Sequence, residues 1–167
     1  MNRFTNAVLL ATLLITGASA AHAQVESSKP LQAPNTVYFE LGGKGLFYGL
    51  FYERLFTRNL GAAIGFSSWN ISFFSSVDVT IIPIFLSWYP VGVEHHLYVD
   101  AGIDYVHLSA EIGPFGTITG SGVIPLVGTG YCYRSNSGGF YFKIGPLLLF
   151  GGGEVRGWAN LTAGVTF

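Results

Sequence analysis

His107-Leu108-Ser109 sets an imidazole and a hydroxyl two residues apart. In extended backbone, residues two apart share a face. A histidine so placed can take the proton of a serine as it attacks an ester. Glu111 falls on the same face and could orient the imidazole, although three such groups in line on one strand make a poor relay. His95-His96 offers two metal-ligating side chains, but strand neighbours point to opposite faces and cannot close on one ion. Gly42-Gly43-Lys44-Gly45 has the glycines and lysine of a phosphate loop without the following Ser or Thr, or a helix, and reads as a tight strand connection. Cys132 is the lone cysteine, which excludes an intramolecular disulfide and a multi-cysteine metal site; it reads as a small strand residue. No metal and no cofactor is expected.

The elements that would carry these groups follow from composition and periodicity. Half of the 167 residues are apolar, 16% aromatic and only 10% charged. A soluble surface carries roughly 25–35% charged residues, so this chain is too apolar for an ordinary soluble domain. Its 23 glycines interrupt the apolar runs too often for membrane-spanning helices. A net charge of −1 leaves no basic stripe for nucleic acid. At the N-terminus, Arg3 precedes the apolar run Ala7–Ile15 and the small-residue site Ala21-His22-Ala23, the layout of a secretory signal peptide. The expected division is a signal peptide over 1–23, a polar unstructured lead-in over 24–35, and one domain over 36–167.

From Thr36 onward, runs of Val, Ile, Phe, Tyr and Thr alternate with Gly, Asn, Ser and Pro clusters, a strand-and-turn grammar. Eight strands are predicted, at 36–43, 45–56, 59–69, 76–89, 95–110, 117–134, 139–150 and 156–167. Alternation is clearest in the last, where Leu161, Ala163, Val165 and Phe167 oppose Asn160, Thr162 and Gly164. It recurs in the first and third. In the fifth, Leu97, Val99, Ala101, Ile103 and Tyr105 oppose Tyr98, Asp100, Gly102 and Asp104. The fourth, sixth and seventh are apolar on both faces for part of their length. Where alternation is clear, the less greasy face holds mostly Gly, Ala, Ser, Thr and Asn rather than the Lys and Glu of a wet exterior. Small residues suit the crowded inside of a narrow barrel, which turns the bulky apolar residues toward lipid. The predicted fold is all-β: an eight-stranded antiparallel up-and-down transmembrane β-barrel.

An even number of strands starting from a periplasmic N-terminus puts both chain ends in the periplasm. The turns at 57–59, 91–94 and 135–139 are then periplasmic, and the connections at 43–44, 70–75, 111–116 and 151–155 face outward. Aromatics should form two interfacial belts: Tyr52, Phe56, Trp88, Tyr89, Tyr131, Tyr133, Phe140, Phe142 and Phe167 at one, and Trp69, Phe150 and Trp158 at the other.

Residues 36–167 resemble the small eight-stranded outer-membrane barrels typified by the transmembrane domain of major outer-membrane protein A. The likeness rests on the terminal Phe167 preceded by Val165, Ala163 and Leu161, and on Val37–Gly43 with Tyr52–Phe56. It implies that the C-terminal residues are the signal read by the barrel-assembly machinery of a Gram-negative bacterium. It also implies that outer-membrane lipids, lipopolysaccharide included, surround the chain. With no peptidoglycan-binding domain after Phe167 and short outward loops, cell-wall anchoring and receptor-type loops are not expected. The His-x-Ser pair is similar to that of outer-membrane lipid A deacylases. However, the Asn those enzymes place next is Ala110, and Ser121 stands where their acid would be. The chain is therefore not expected to be an enzyme.

The strand phases turn Glu40, Glu53, Asp100, Asp104, Lys143 and Asn160 into the lumen as a polar network. Lys143, with Arg134, is too little base to pair four acids, which leaves some of them hydrated or protonated. The leading expectation is a monomeric, non-enzymatic outer-membrane barrel with a side-chain-filled lumen, serving envelope structure or surface interaction, with Asn70–Ser76 as the contact loop. A narrow pore or transporter is the alternative, and a lipid-modifying enzyme a third.

Overall fold

The computed structural model of the chain describes residues 32–72, 76–111 and 117–167. The expected signal peptide and most of the lead-in lie outside the described residues. Eight strands follow: β1 (Asn35–Gly42), β2 (Tyr48–Leu55), β3 (Leu60–Ser72), β4 (Ser76–Val91), β5 (His95–Glu111), β6 (Thr117–Arg134), β7 (Gly139–Gly151) and β8 (Glu154–Thr166). Each pairs antiparallel with the next, and β1 pairs with β8 to close a barrel. The ends meet at one rim, where Asn35 and Phe167 exchange backbone hydrogen bonds of 2.9 and 2.8 Å. This rim is the termini end; the opposite rim is the far end. The last of the lead-in is anchored there too, because Ala33 is buried and Pro34 accepts a hydrogen bond from the Leu55 amide.

Closure of the ladder satisfies the backbone, so side-chain direction decides what each face meets. Over most of the wall the faces are inside-out relative to a soluble barrel. Leu50, Ile64, Leu86, Leu97, Val127 and Val165 project outward and are 41–58% exposed. Inward, Glu40, Glu53, Asp100 and Lys143 are fully buried. The large inward residues follow a rule that alternation alone conceals. Phe51 lies across from Gly65, Phe85 across from Gly102, and Tyr38 across from Gly164. A Cβ added at any of these three glycines would overlap the facing aromatic residue. Aromatic rings thus lie over the bare backbone of the neighbouring strand, which fills a narrow lumen without crowding it. The expectation that bulky apolar groups all face outward is corrected accordingly: Phe51, Phe85, Leu126 and Leu147 are core residues.

The wall is uneven in height. β1 and β2 have 8 residues each, whereas β4, β5 and β6 have 16, 17 and 18. The surplus of β3–β6 rises beyond the far end as a sheet, and there the faces exchange character. On β5, the outward row runs Leu97, Val99, Ala101, Ile103, Tyr105 and then His107, Ser109, Glu111, while Val106 and Leu108 point inward. The outward partners beside that upper stretch are also polar: Thr80 and Ser121 flank His107, and Asp78 and Thr119 flank Ser109.

Three expectations about aromatics change with this geometry. Tyr89, assigned to the belt at the termini end, is buried in the lumen. Trp69 and Trp158, assigned to the far belt, sit on the inner side of the far rim. Trp69 shares the face of Val79 and packs edge-on against Phe47 at 5.0 Å, while Trp158 donates to the Leu46 carbonyl at 3.2 Å. Phe150 keeps the outward phase of Leu148, and the other outward rings toward that end are Phe39 and Tyr48, stacked at 6.2 Å, with Phe66 and Tyr105.

Candidate functional site

Polar side chains gather inside the cylinder, and the strand phases bring them together. All six residues assigned to the lumen network are inward and at most 4% exposed: Glu40, Glu53, Asp100, Asp104, Lys143 and Asn160. Asp100 of β5 is the hub. Lys143 donates to both its oxygens at 2.8 and 2.9 Å, and Ser87 donates to Oδ1 at 2.8 Å. Its second charged partner is Lys44, at 3.0 Å.

Lys44 is the residue that sequence reasoning missed. Gly43–Gly45 forms a 3₁₀ turn between β1 and β2, and the chain folds back into the barrel rather than outward. Gly42 and Gly43 adopt φ of 67° and 69°, which a side chain would resist. This backbone lets the Lys44 amide donate to Glu40 Oε1 at 2.8 Å while its ammonium lies 3.2 Å from Oε2. The reading of this segment as an outward tight connection is thus corrected: it is a plug, and Lys44 is fully buried. Asn160 and Thr162 of β8 complete the Glu40 carboxylate at 3.2 and 3.3 Å. Tyr98 donates to Asn160 Oδ1 at 3.0 Å, and its ring lies 4.1 Å beneath the Lys143 ammonium.

A second cluster lies nearer the termini. Glu53 accepts from Tyr89 at 2.6 Å and Tyr141 at 3.2 Å, with Arg134 3.6 Å away. Arg134 also donates to the Ala33 and Pro34 carbonyls, tying the chain entry to the lumen. Buried charges cost several kcal/mol each unless paired and hydrogen-bonded. Here Glu40, Glu53 and Asp100 meet that condition with Lys44, Lys143 and Arg134. Asp104 does not: its Oδ1 has no hydrogen-bond partner.

The groups considered for catalysis stand elsewhere. His107, Ser109 and Glu111 lie on the outer face of β5, in its upper part, and no hydrogen bond joins them among the described residues. His95 and His96 point to opposite faces: His95 Nδ1 meets the Tyr131 hydroxyl at 2.6 Å outside, and His96 packs against the Tyr89 ring inside. Cys132 is buried in the core. Leu161, Ala163, Val165 and Phe167 project outward from β8 and its end. Of the expected contact loop, Asn70–Ser72 continues β3 and Ser76 opens β4, while 73–75 lie outside the described residues.

No protein-family model and no curated protein matches the sequence. Among solved structures, the N-terminal β-barrel domain of Pseudomonas aeruginosa OprF superimposes with a TM-score of 0.57 at 19% identity, over 81% of this chain and all of that one. Ail, the attachment invasion locus protein of Yersinia pestis, gives 0.50 at 14% identity, over 80% of this chain and 95% of that one. At such identities the likeness is one of fold: the chain has the architecture of the small eight-stranded outer-membrane barrels.

Proposed function

We propose that this barrel is an integral outer-membrane protein with a closed lumen, serving envelope structure or surface interaction rather than catalysis or conduction. The observation that carries the reading is the Glu40–Lys44–Asp100–Lys143 chain of ion pairs, all four side chains fully buried across the middle of the lumen. An eight-stranded barrel has room for side chains and little else, and here that room holds charges that neutralise each other. The outward band of Leu, Ile, Val and aromatic residues suits acyl chains, including those of lipopolysaccharide. Exposed Leu161, Val165 and Phe167, with Ala163, are available to an assembly machinery that reads the last strand. Barrel closure leaves no strand edge within that band to recruit a second copy, which favours a monomer. The tall β3–β6 sheet, polar on its outside, favours surface contact over a purely mechanical role. Both chain ends are taken as periplasmic.

Planar-bilayer recording tests the closed lumen. Purified protein is expected to give no steady conductance. Steady, cation-selective openings that Asp100→Leu abolishes would replace this reading with a pore.

A further inference from the structure

Among the described residues, four buried acids share the lumen with three buried lysine and arginine side chains, Glu40, Glu53, Asp100 and Asp104 against Lys44, Lys143 and Arg134, and with the His96 imidazole against Tyr89. The lysines and the arginine are all engaged by the first three acids. Asp104 is only 3% exposed, its Oδ1 lacks a hydrogen-bond partner, and among the described residues no ion pair reaches it. Were all four acids ionised, the described interior would be one positive charge short, and the acid left without an ion pair is Asp104.

Further along the inner face, the space over two glycines of β6 is open among the described residues. Toward the far end, β5 continues inward with Val106 and Leu108, which lie across from Gly122 and Gly120 of β6. A Cβ added at either glycine meets nothing within 4 Å. Exposure climbs along this lane, from 3% at Asp104 to 43% at Leu108 and 63% at Ile118. The lane is therefore shut at the carboxylate and open at the rim. On the same inner face, at the level of Leu108, Trp69 buries its indole Nε1 without an acceptor. Asp104 thus stands at the buried end of this apolar strip, and Trp69 lies level with Leu108, two strands away on β3.

We propose that this recess binds a small organic cation with an apolar tail, of the primary alkylammonium class. Its ammonium donates to Asp104 and its tail lies along the Gly120–Gly122 lane. The ammonium supplies the missing charge and the donors that a buried carboxylate needs. The four residues from Asp104 to Leu108 span about 13 Å, which accommodates a chain of six to eight carbons. An inorganic cation would meet the charge and leave the apolar wall wet; an alkanol would do the reverse.

The test uses the chain purified from membranes in detergent, labelled with ¹⁵N, with the Trp69 indole resonance as readout and n-hexylammonium chloride as probe. A saturable shift is expected, with a midpoint at least tenfold higher for 1-hexanol and for hexanoate. Asp104→Asn, which keeps shape and removes charge, is expected to raise the hexylammonium midpoint at least tenfold. Gly122→Leu is expected to abolish the shift by filling the lane while leaving the carboxylate in place. It sits where a side chain meets no neighbour, so it tests the idea even if Asp104→Asn folds poorly; heat-dependent gel mobility reports folding for both. Equal midpoints for hexanol and hexylammonium, or a shift indifferent to both substitutions, would show mere apolar partitioning and overturn the proposal. So would sodium chloride alone reproducing the shift, which would make the site one for inorganic cations. Silent conductance recordings would not bear on this outcome, because the recess lies beyond the ion-pair chain that closes the lumen.

Discussion

At the scale of single residues, the lumen works because each strong charge has more than one partner. Asp100 serves two lysines and a serine, and Glu40 serves Lys44 twice along with Asn160 and Thr162. Removing one member of such a buried set leaves its partners charged and unmatched, a cost of about 3–5 kcal/mol. Asp100→Asn strips the acid from both Lys44 and Lys143, so urea unfolding in lipid vesicles is expected to show a loss of that order. The exposed Glu154–Arg156 pair makes the control, since Glu154→Gln is expected to leave the midpoint unchanged. If the two substitutions proved equivalent, the lumen network would contribute nothing to stability. The six assigned lumen residues were legible because strand phase alone points them inward. Lys44 was not, since it lies outside any strand and only the positive φ of Gly42 and Gly43 turns it back. Residue types could hint at this, as three glycines around one lysine make an unusually compliant segment, but its direction depends on the Glu40 and Asp100 carboxylates waiting inside.

Strands carry a different kind of information, and β5 shows both its strength and its limit. Alternation located the strand and the lumen face from Tyr98 to Asp104, because there one face is greasy and the other polar. Above Tyr105 the polarity of the two faces changes over, so a reader following hydrophobicity alone would slip the register by one residue. His107 and Ser109 do share a face, as the spacing requires, but it is the outer one. The changeover also marks where the outward face stops suiting hydrocarbon. From Leu97 to Tyr105 the strand covers about 26 Å, or roughly 20 Å along the barrel axis at a tilt near 40°, close to the apolar band of about 25 Å in membrane barrels. Ala101 lies in the middle of this run and Ser109 beyond it. Ala101→Arg is therefore expected to destabilise the protein in vesicles by about 2–4 kcal/mol, and Ser109→Arg by about 0–1 kcal/mol. Comparable costs at the two positions would mean that the upper sheet is immersed in lipid as well. The same pairing logic explains why β4, β6 and β7 resisted a phase assignment: Phe85, Leu126 and Leu147 are inward yet apolar, each needing a small neighbour across the ladder that a single strand cannot reveal.

For the whole molecule, closure has a directional consequence. Eight strands return the chain to the rim from which it left, and the backbone bonds between Asn35 and Phe167 hold the two ends there. The connections at this rim are short, whereas β3–β6 extend well past the other. A chain arriving from the periplasm can push hairpins across the bilayer while its ends stay behind, so no polar terminus has to cross hydrocarbon. On the outer-membrane reading proposed above, the rim bearing Asn35 and Phe167 is expected to face the periplasm and the tall sheet to face outward. Thiol labelling decides it with little interference, because the native Cys132 is fully buried. Asn136→Cys places a thiol in the exposed turn between β6 and β7 at the termini end, and Glu154→Cys places one at the far end, where β8 begins. A bulky, membrane-impermeant maleimide added to intact cells is expected to modify Glu154→Cys and to spare Asn136→Cys until the outer membrane is opened. The reverse pattern would invert the molecule: the recess above Asp104 would then open to the periplasm, and the sheet read as a surface-contact element would face the cell wall instead.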